Sequence, residues 1–161
     1  MSKSINKELF KFKTRWRTRF CEVDLQGVIH HSEIVKYLEI GRVEYWRQLG
    51  IGYHEFLSSG LEYVVARLEC DYLKPLFFDT MITVMVRVSR VSRTSVTYEY
   101  LIYDDNDNCA VYALTLLVCV KSGTIRPYPL PKSYLKKILD YEIEGTVENK
   151  ARKITTPDST G

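Results

Sequence analysis

Most standard chemical signatures are missing from this 161-residue sequence. There is no Gly-rich phosphate loop. Gly50-Ile51-Gly52 is too short for a dinucleotide fingerprint and does not follow a strand pattern. There is no Gly-x-Ser-x-Gly nucleophile elbow. The four cysteines, Cys21, Cys70, Cys109 and Cys119, form no Cys-x-x-Cys pair, which excludes zinc-knuckle and thioredoxin-type motifs. Each lies in or beside an apolar run, so four reduced core thiols in a cytoplasmic protein are expected. The longest apolar run, Ala110 to Val120, falls short of the ~18 residues of a membrane span. The N-terminal MSKSINKELFKFK is basic but has no apolar stretch, so no signal peptide is expected. A net charge of +3 is too mild to imply nucleic acid. The run Asp104 to Asn108 begins like a calcium loop, but Cys109 replaces the sharp-turn glycine and Thr115 the bidentate glutamate. It reads as a hairpin turn.

What is present is an ordinary globular composition, 45% apolar and 27% charged, which excludes intrinsic disorder. The length suits one domain with its own core. We place that domain at residues 1–140, followed by a polar and flexible tail at 141–161.

Hydrophobic periodicity orders the elements. Residues 12–21 alternate, with Phe12, Thr14, Trp16, Thr18 and Phe20 on one face and Lys13, Arg15, Arg17 and Arg19 on the other. A polar loop, Glu22 to Gly27, leads to Ser32 as the expected N-cap of a helix of four to five turns. Its apolar stripe is Ile34, Tyr37, Leu38, Gly41, Tyr45 and Leu49, and Gly50 stops it. A short helix or turn follows at 53–59. Strand patterns cover 61–73, 80–91 and 95–103, and 109–120 reads as a central strand buried on both faces. Pro127, Pro129 and Pro131 end the sheet, and 133–139 can form a short helix. One long helix with a mainly antiparallel sheet of five strands is an α+β layout.

The informative stretch is Glu22 to Glu33. A carboxylate, Asp24, sits in a loop seven residues before a helix start. The first N–H groups of a helix lack backbone partners and carry partial positive charge. They would polarise a carbonyl oxygen and stabilise an oxyanion formed from it. Gly27 permits the sharp turn that lets a loop carboxylate and a helix tip face one substrate atom. Acid–base work on an acyl group needs that pairing, but the spacing alone also allows Asp24 to be no more than the cap of its own loop. Cys21 has no evident base beside it, and His30 and His31 do not suit a shared metal. Glu39, Arg42 and Glu44 suit ion pairs on the helix.

The stretch Phe20-Cys21-Glu22-Val23-Asp24-Leu25-Gln26-Gly27-Val28-Ile29-His30-His31 is followed by Tyr37-Leu38-Glu39-Ile40-Gly41-Arg42-Val43-Glu44. Together they resemble the signature of the 4-hydroxybenzoyl-CoA thioesterase family of hotdog-fold proteins, which includes the Tol-Pal-associated acyl-CoA thioesterases. The family pattern is aromatic-x-D-x-D-x-x-G-V-V-Y-H, then aromatic-x-E-x-x-R-x-E. The resemblance continues through Arg93-Thr94-Ser95 to Arg126-Pro127-Tyr128-Pro129-Leu130-Pro131 and spans about 14 to 138.

The resemblance implies a hotdog fold, a long central helix wrapped by a five-stranded sheet, and acyl-CoA thioesterase activity. It places Asp24 at the catalytic aspartate, acting as nucleophile or general base, and the backbone N–H of His31 at the thioester oxygen. Gly27 matches the loop glycine. His30 and Glu33 approach the substrate pocket, and Arg93, Thr94 and Ser95 approach the pantetheine or phosphates of CoA. No metal and no redox cofactor are implied, since CoA enters as part of the substrate. The active site forms between subunits, so a homodimer or homotetramer is implied. Glu22 stands in place of the first acid of the pair, His30 in place of a Tyr or Trp, and Glu33 and Ile34 in place of Asn and Tyr. These departures bear on substrate preference more than on activity. The alternatives are an acyl-carrier-protein thioesterase docking an acidic carrier on the basic face of the first strand, and a non-catalytic protein that binds an acyl thioester. In another hotdog branch the carboxylate sits on the helix, where Glu33 and Glu39 are the candidates.

Overall fold

The computed structural model describes residues 6–150. The elements are β1 (Phe12–Arg17), α1 (His31–Gln48), α2 (Tyr53–Ser58), β2 (Leu61–Tyr72), β3 (Met81–Val91), β4 (Ser95–Tyr103), β5 (Cys109–Lys121), α3 (Lys132–Tyr141) and the two-residue β6 (Glu148–Asn149). The long strands run in the order β1-β3-β4-β5-β2, all antiparallel, and β6 adds to β3 in parallel. The sheet therefore has six strands, one more than expected. With α1 laid across one face, it is the α+β hotdog arrangement that the resemblance implies.

The alternation in β3 and β4 explains this layering. Ile82, Val84, Val86 and Val88 of β3, and Val96, Tyr98, Tyr100 and Ile102 of β4, are fully buried against the helix. β-branched and aromatic side chains suit such a half-buried pleated surface. The helix answers with Ile34, Tyr37, Leu38, Gly41, Tyr45 and Trp46. Trp46 lies outside the expected stripe, and its indole Nε1 donates to the Tyr98 hydroxyl at 2.7 Å.

Several expectations change. β1 ends at Arg17 rather than at 21, and a 3-10 turn at Phe20–Glu22 turns Phe20 out to solvent. The cysteines are not all core thiols: Cys21 is exposed, Cys70 and Cys109 are half-buried, and only Cys119 is buried. β5 is interior but alternates in burial, so it packs hard on one face only. The centre of the sheet is β4. Within the segment expected as a loose tail, Glu142 is buried, accepts from the Tyr45 hydroxyl at 2.6 Å and from the Val88 N–H at 2.8 Å, and Glu148–Asn149 pairs with β3. Residues 151–161 of that segment lie outside the described residues.

Gly41 marks where the helix comes closest to the sheet. A Cβ added there would lie 2.9 Å from Val84 Cγ1 and 3.1 Å from Val86 Cγ2. Alanine is the better helix former by about 1 kcal/mol, but overpacking a core costs about 1–3 kcal/mol. Gly41→Ala is therefore expected to lower the urea midpoint and Gly41→Leu to lower it further. A midpoint for Gly41→Ala at or above wild type would show spare room at this crossing.

Candidate active site

Residues 23–29 form a closed loop between the 3-10 turn and α1. Asp24 N–H donates to the Val28 carbonyl at 2.9 Å, and Gly27 N–H to the Asp24 carbonyl at 3.0 Å. Gly27 has φ of +80°, a left-handed conformation that glycine adopts without strain. Val23 bridges Ile29, and His30 N–H donates to the Glu22 carbonyl at 2.9 Å. Ile29 N–H donates to the Leu76 carbonyl at 2.8 Å, which ties the loop to the chain leaving β2.

Asp24 is half-buried at the loop tip. Its Oδ1 accepts the N–H of Gln26 at 2.8 Å and lies 3.4 Å from the N–H of Val28, so it does cap its own loop. Its Oδ2 has no partner among the described residues. The cap thus occupies one oxygen and leaves the other open.

The tip of α1 is arranged in a complementary way. The N-cap is His30, not Ser32: His30 is extended, and its Nδ1 accepts the Ser32 N–H at 3.2 Å and lies 2.7 Å from Ser32 Oγ. The His30 carbonyl accepts the Glu33 N–H at 2.9 Å. The first-turn amides of Ser32 and Glu33 are thereby satisfied, while the N–H of His31 has no partner among the described residues. Asp24 and His31 line one cleft of about 300 Å³. The His31 ring is exposed and lies beside that of His30, with centroids 4.1 Å apart.

The other expected site residues lie elsewhere in the chain. Glu33 is not in the cleft; its carboxylate pairs with Lys36 at 2.6 Å. Arg93, Thr94 and Ser95 make the β3–β4 hairpin. β3 starts beside the site and runs away from it for 11 residues, so this hairpin lies about 30 Å off at roughly 3.3 Å per residue. Within one chain it does not line the Asp24 cleft. Tyr72, Leu73 and Leu76 from the end of β2 line the cleft and were not anticipated. The Tyr72 hydroxyl donates to the His31 carbonyl at 3.3 Å, and burial pushes that phenol up to about 12. The end of the 61–73 strand pattern, just before Pro75, is the one local signal available for them. A larger groove, about 650 Å³, lies on the outer face of the sheet. Its cations are paired, Arg67 with Glu69 and Arg90 and Lys150 with Glu148.

Beneath the loop sits Glu22, 3% exposed. Its Oε2 accepts from the Tyr37 hydroxyl at 2.5 Å and the Arg19 N–H at 2.6 Å, and its Oε1 from Arg19 Nε at 2.9 Å and Nη2 at 2.8 Å. Burial works to raise its pKa, but the hydrogen bonds from Tyr37 and Arg19 and the Arg19 charge outweigh burial and hold it below the usual carboxylate range. Among the described residues, no group of three or more His, Cys, Asp or Glu side chains stands close enough to hold a metal ion.

The family model that matches the chain is described as the thioesterase superfamily and covers residues 26–111. An acyl-CoA thioester hydrolase of Escherichia coli is 26% identical over 121 residues, 74% of this chain and 90% of its own. A crystallised hypothetical protein of Aquifex aeolicus is 34% identical with a TM-score of 0.74, covering 79% of this chain and 98% of the other. A thioesterase from Thermus thermophilus, crystallised with coenzyme A and zinc, is 29% identical with a TM-score of 0.72, covering 83% and 95%.

The Glu22 cluster has a signature in acid. A carboxyl held below its unfolded value stabilises the fold at pH above that value, ordinarily 4.5, and the contribution disappears as pH falls through the folded value. Urea unfolding between pH 7 and pH 3 should show wild type losing stability more steeply below pH 4.5 than Glu22→Gln does. Parallel profiles for the two proteins would contradict an ionised Glu22.

Proposed function

Because the chain belongs to the thioesterase superfamily, and so is a thioester hydrolase, we propose that it cleaves acyl-CoA thioesters with Asp24 and the His31 amide as its working groups. The observation that carries this reading is the pair of unsatisfied groups in one cleft: a carboxylate oxygen and a helix-tip N–H. A thioester carbonyl between them has its oxygen on the N–H and its carbon open to the carboxylate side. As a general base, Asp24 takes a proton from water as the water oxygen attacks that carbon. The oxyanion is stabilised by the amide and the helix dipole. Collapse breaks the C–S bond, the proton passes to the departing CoA thiolate, and acid and thiol leave. As a nucleophile, Asp24 attacks directly and expels the thiolate, and water then opens the resulting anhydride. Neither route uses a metal or a redox cofactor.

The placement of Arg93 to Ser95 supports a homodimer. β2 is an edge strand with Val64, Val65, Leu68 and Tyr72 exposed along it. An exposed apolar edge of 12 residues invites a further strand. A second copy added antiparallel across β2 reverses direction, so its far end, with its β3–β4 hairpin, comes to the end that holds Asp24. The hairpin that is remote within one chain then serves the CoA of the neighbour.

A carrier-protein substrate is the second reading, and the basic face of β1 favours it. Arg17 pairs with Asp79 and Arg19 with Glu22, but Lys13 and Arg15 are exposed with no ion-pair partner among the described residues. Either a CoA phosphate or an acidic carrier suits these cations.

Two outcomes are expected. Asn at position 24 can keep the Oδ1 cap, so Asp24→Asn should fold normally and lose roughly 10²–10⁴-fold in turnover; assays with one acyl group on CoA and on carrier protein assign the thiol. Wild-type turnover in folded Asp24→Asn would refute the mechanism, and single turnover in H₂¹⁸O labels Asp24 only if it is the nucleophile. Val65→Lys should give a folded monomer by sedimentation that has lost its activity; a fully active monomer would dismiss the shared site.

A further inference from the structure

We infer that Glu22 is the positioning residue of the active site, setting the Asp24 loop against the helix tip through Tyr37 and Arg19. The inference rests on the assignment of Asp24 and the His31 amide above.

Two groups on different elements must be held within about 0.5 Å for a reaction between them to be efficient. Here one is on a rigid helix and the other on a loop whose tip has no packing of its own. Leu25, Gln26 and Gly27 are all exposed. Besides the Ile29–Leu76 bond, which ties the loop to the chain leaving β2, the restraint comes from below, where the Glu22 side chain ties the start of the loop to the helix. The Glu22 backbone carbonyl accepts from His30 N–H, which pins the end of the loop to its start. Its carboxylate receives the hydroxyl of Tyr37, which is 0% exposed in the second turn of α1. Arg19 grips the other side through its N–H and its guanidinium. Both carboxylate oxygens carry two hydrogen bonds each, so the group has little rotational freedom. It lies two residues before Asp24 and does not line the cleft, so it acts through Asp24 rather than on substrate.

A buried charge used only for stability is a poor choice, since apolar replacements of similar volume often do as well. The geometry here has a further property: the Glu22 carboxylate joins the start of the loop to α1 through Tyr37 and to Arg19 just past β1, while its carbonyl closes the loop on itself. Removing the Tyr37 hydroxyl cuts the link to the helix alone and leaves an aromatic ring to fill the core.

The test measures kcat and KM on an acyl-CoA for wild type, Tyr37→Phe, Glu22→Gln, Glu22→Asp and Asp24→Asn, with urea unfolding of each. Displacement of a reacting group by about 1 Å costs about 10²-fold in rate. Tyr37→Phe and Glu22→Gln should therefore lose about one to two orders of magnitude in kcat with KM little changed. Glu22→Asp keeps the charge but withdraws the carboxylate by one methylene, and should recover only part of the loss. Adding Tyr37→Phe to Asp24→Asn should leave the residual rate unchanged, because the residue works through Asp24. Folded Tyr37→Phe with wild-type kcat, beside inactive Asp24→Asn, overturns the positioning role alone. A further drop of the double variant below Asp24→Asn overturns it as well, showing general damage. An active Asp24→Asn overturns the catalytic assignment on which it rests. Should the Glu22 variants not fold, Tyr37→Phe and the double variant decide the matter.

Discussion

The hydrogen bond from His30 N–H to the Glu22 carbonyl closes the loop that carries Asp24, and the geometry of the candidate site depends on that closure. A seven-residue loop with an exposed tip has many conformations in solution. Pinning its two ends removes most of them, and the inner bond between Asp24 and Val28, with Gly27 in the left-handed region, removes more. What remains is a carboxylate with one oxygen tied down and one free. Ordering this loop costs conformational entropy of about 1–2 kcal/mol per residue, so the buried pair Glu22 and Tyr37, the exposed Arg19 that grips Glu22 and the anchor at Leu76 have something definite to offset.

The helix tip shows the same economy of unsatisfied groups. A conventional Ser or Asp cap would satisfy an amide in the first turn. The histidine cap does this for Ser32 through its ring and for Glu33 through its carbonyl, and the His31 amide stays open. This open donor is a backbone N–H, so no side-chain substitution at position 31 other than proline removes it. The free oxygen of Asp24 and this N–H are opposite in sign, and both residues line one cleft.

Three buried polar groups each join two elements. Glu22 joins loop and helix. Glu142 accepts from Tyr45 of α1 and from Val88 of β3, and so fastens the end of α3 to both; burial, partly countered by these bonds, pushes its carboxyl above the usual range. Trp46 and Tyr98 join α1 to β4. The two carboxylates therefore respond oppositely to acid, Glu22 losing its contribution and Glu142 gaining a proton that suits its surroundings. No helix of the described residues is long and apolar enough to cross a membrane.

Local order in the sequence decided the strands β3 and β4, the length of α1 and its buried stripe, because periodicities of two and of 3.6 are set by backbone geometry and can be read along the chain. Asp24, Gly27 and the helix start were legible for the same reason, being neighbours in sequence, and the motif they form carried the resemblance to a family. What the chain concealed depended on distant partners. The outward turn of Phe20, the histidine cap, the burial of Glu22 under Tyr37 and the arrival of Tyr72 beside His31 all come from groups brought together across 2 to 41 positions by turns and by strand order. The sequence by itself determined the loop carboxylate and the helix that follows it. The tertiary structure decided which of their atoms are left free, because that depends on every other hydrogen-bonding group that folding brings within reach.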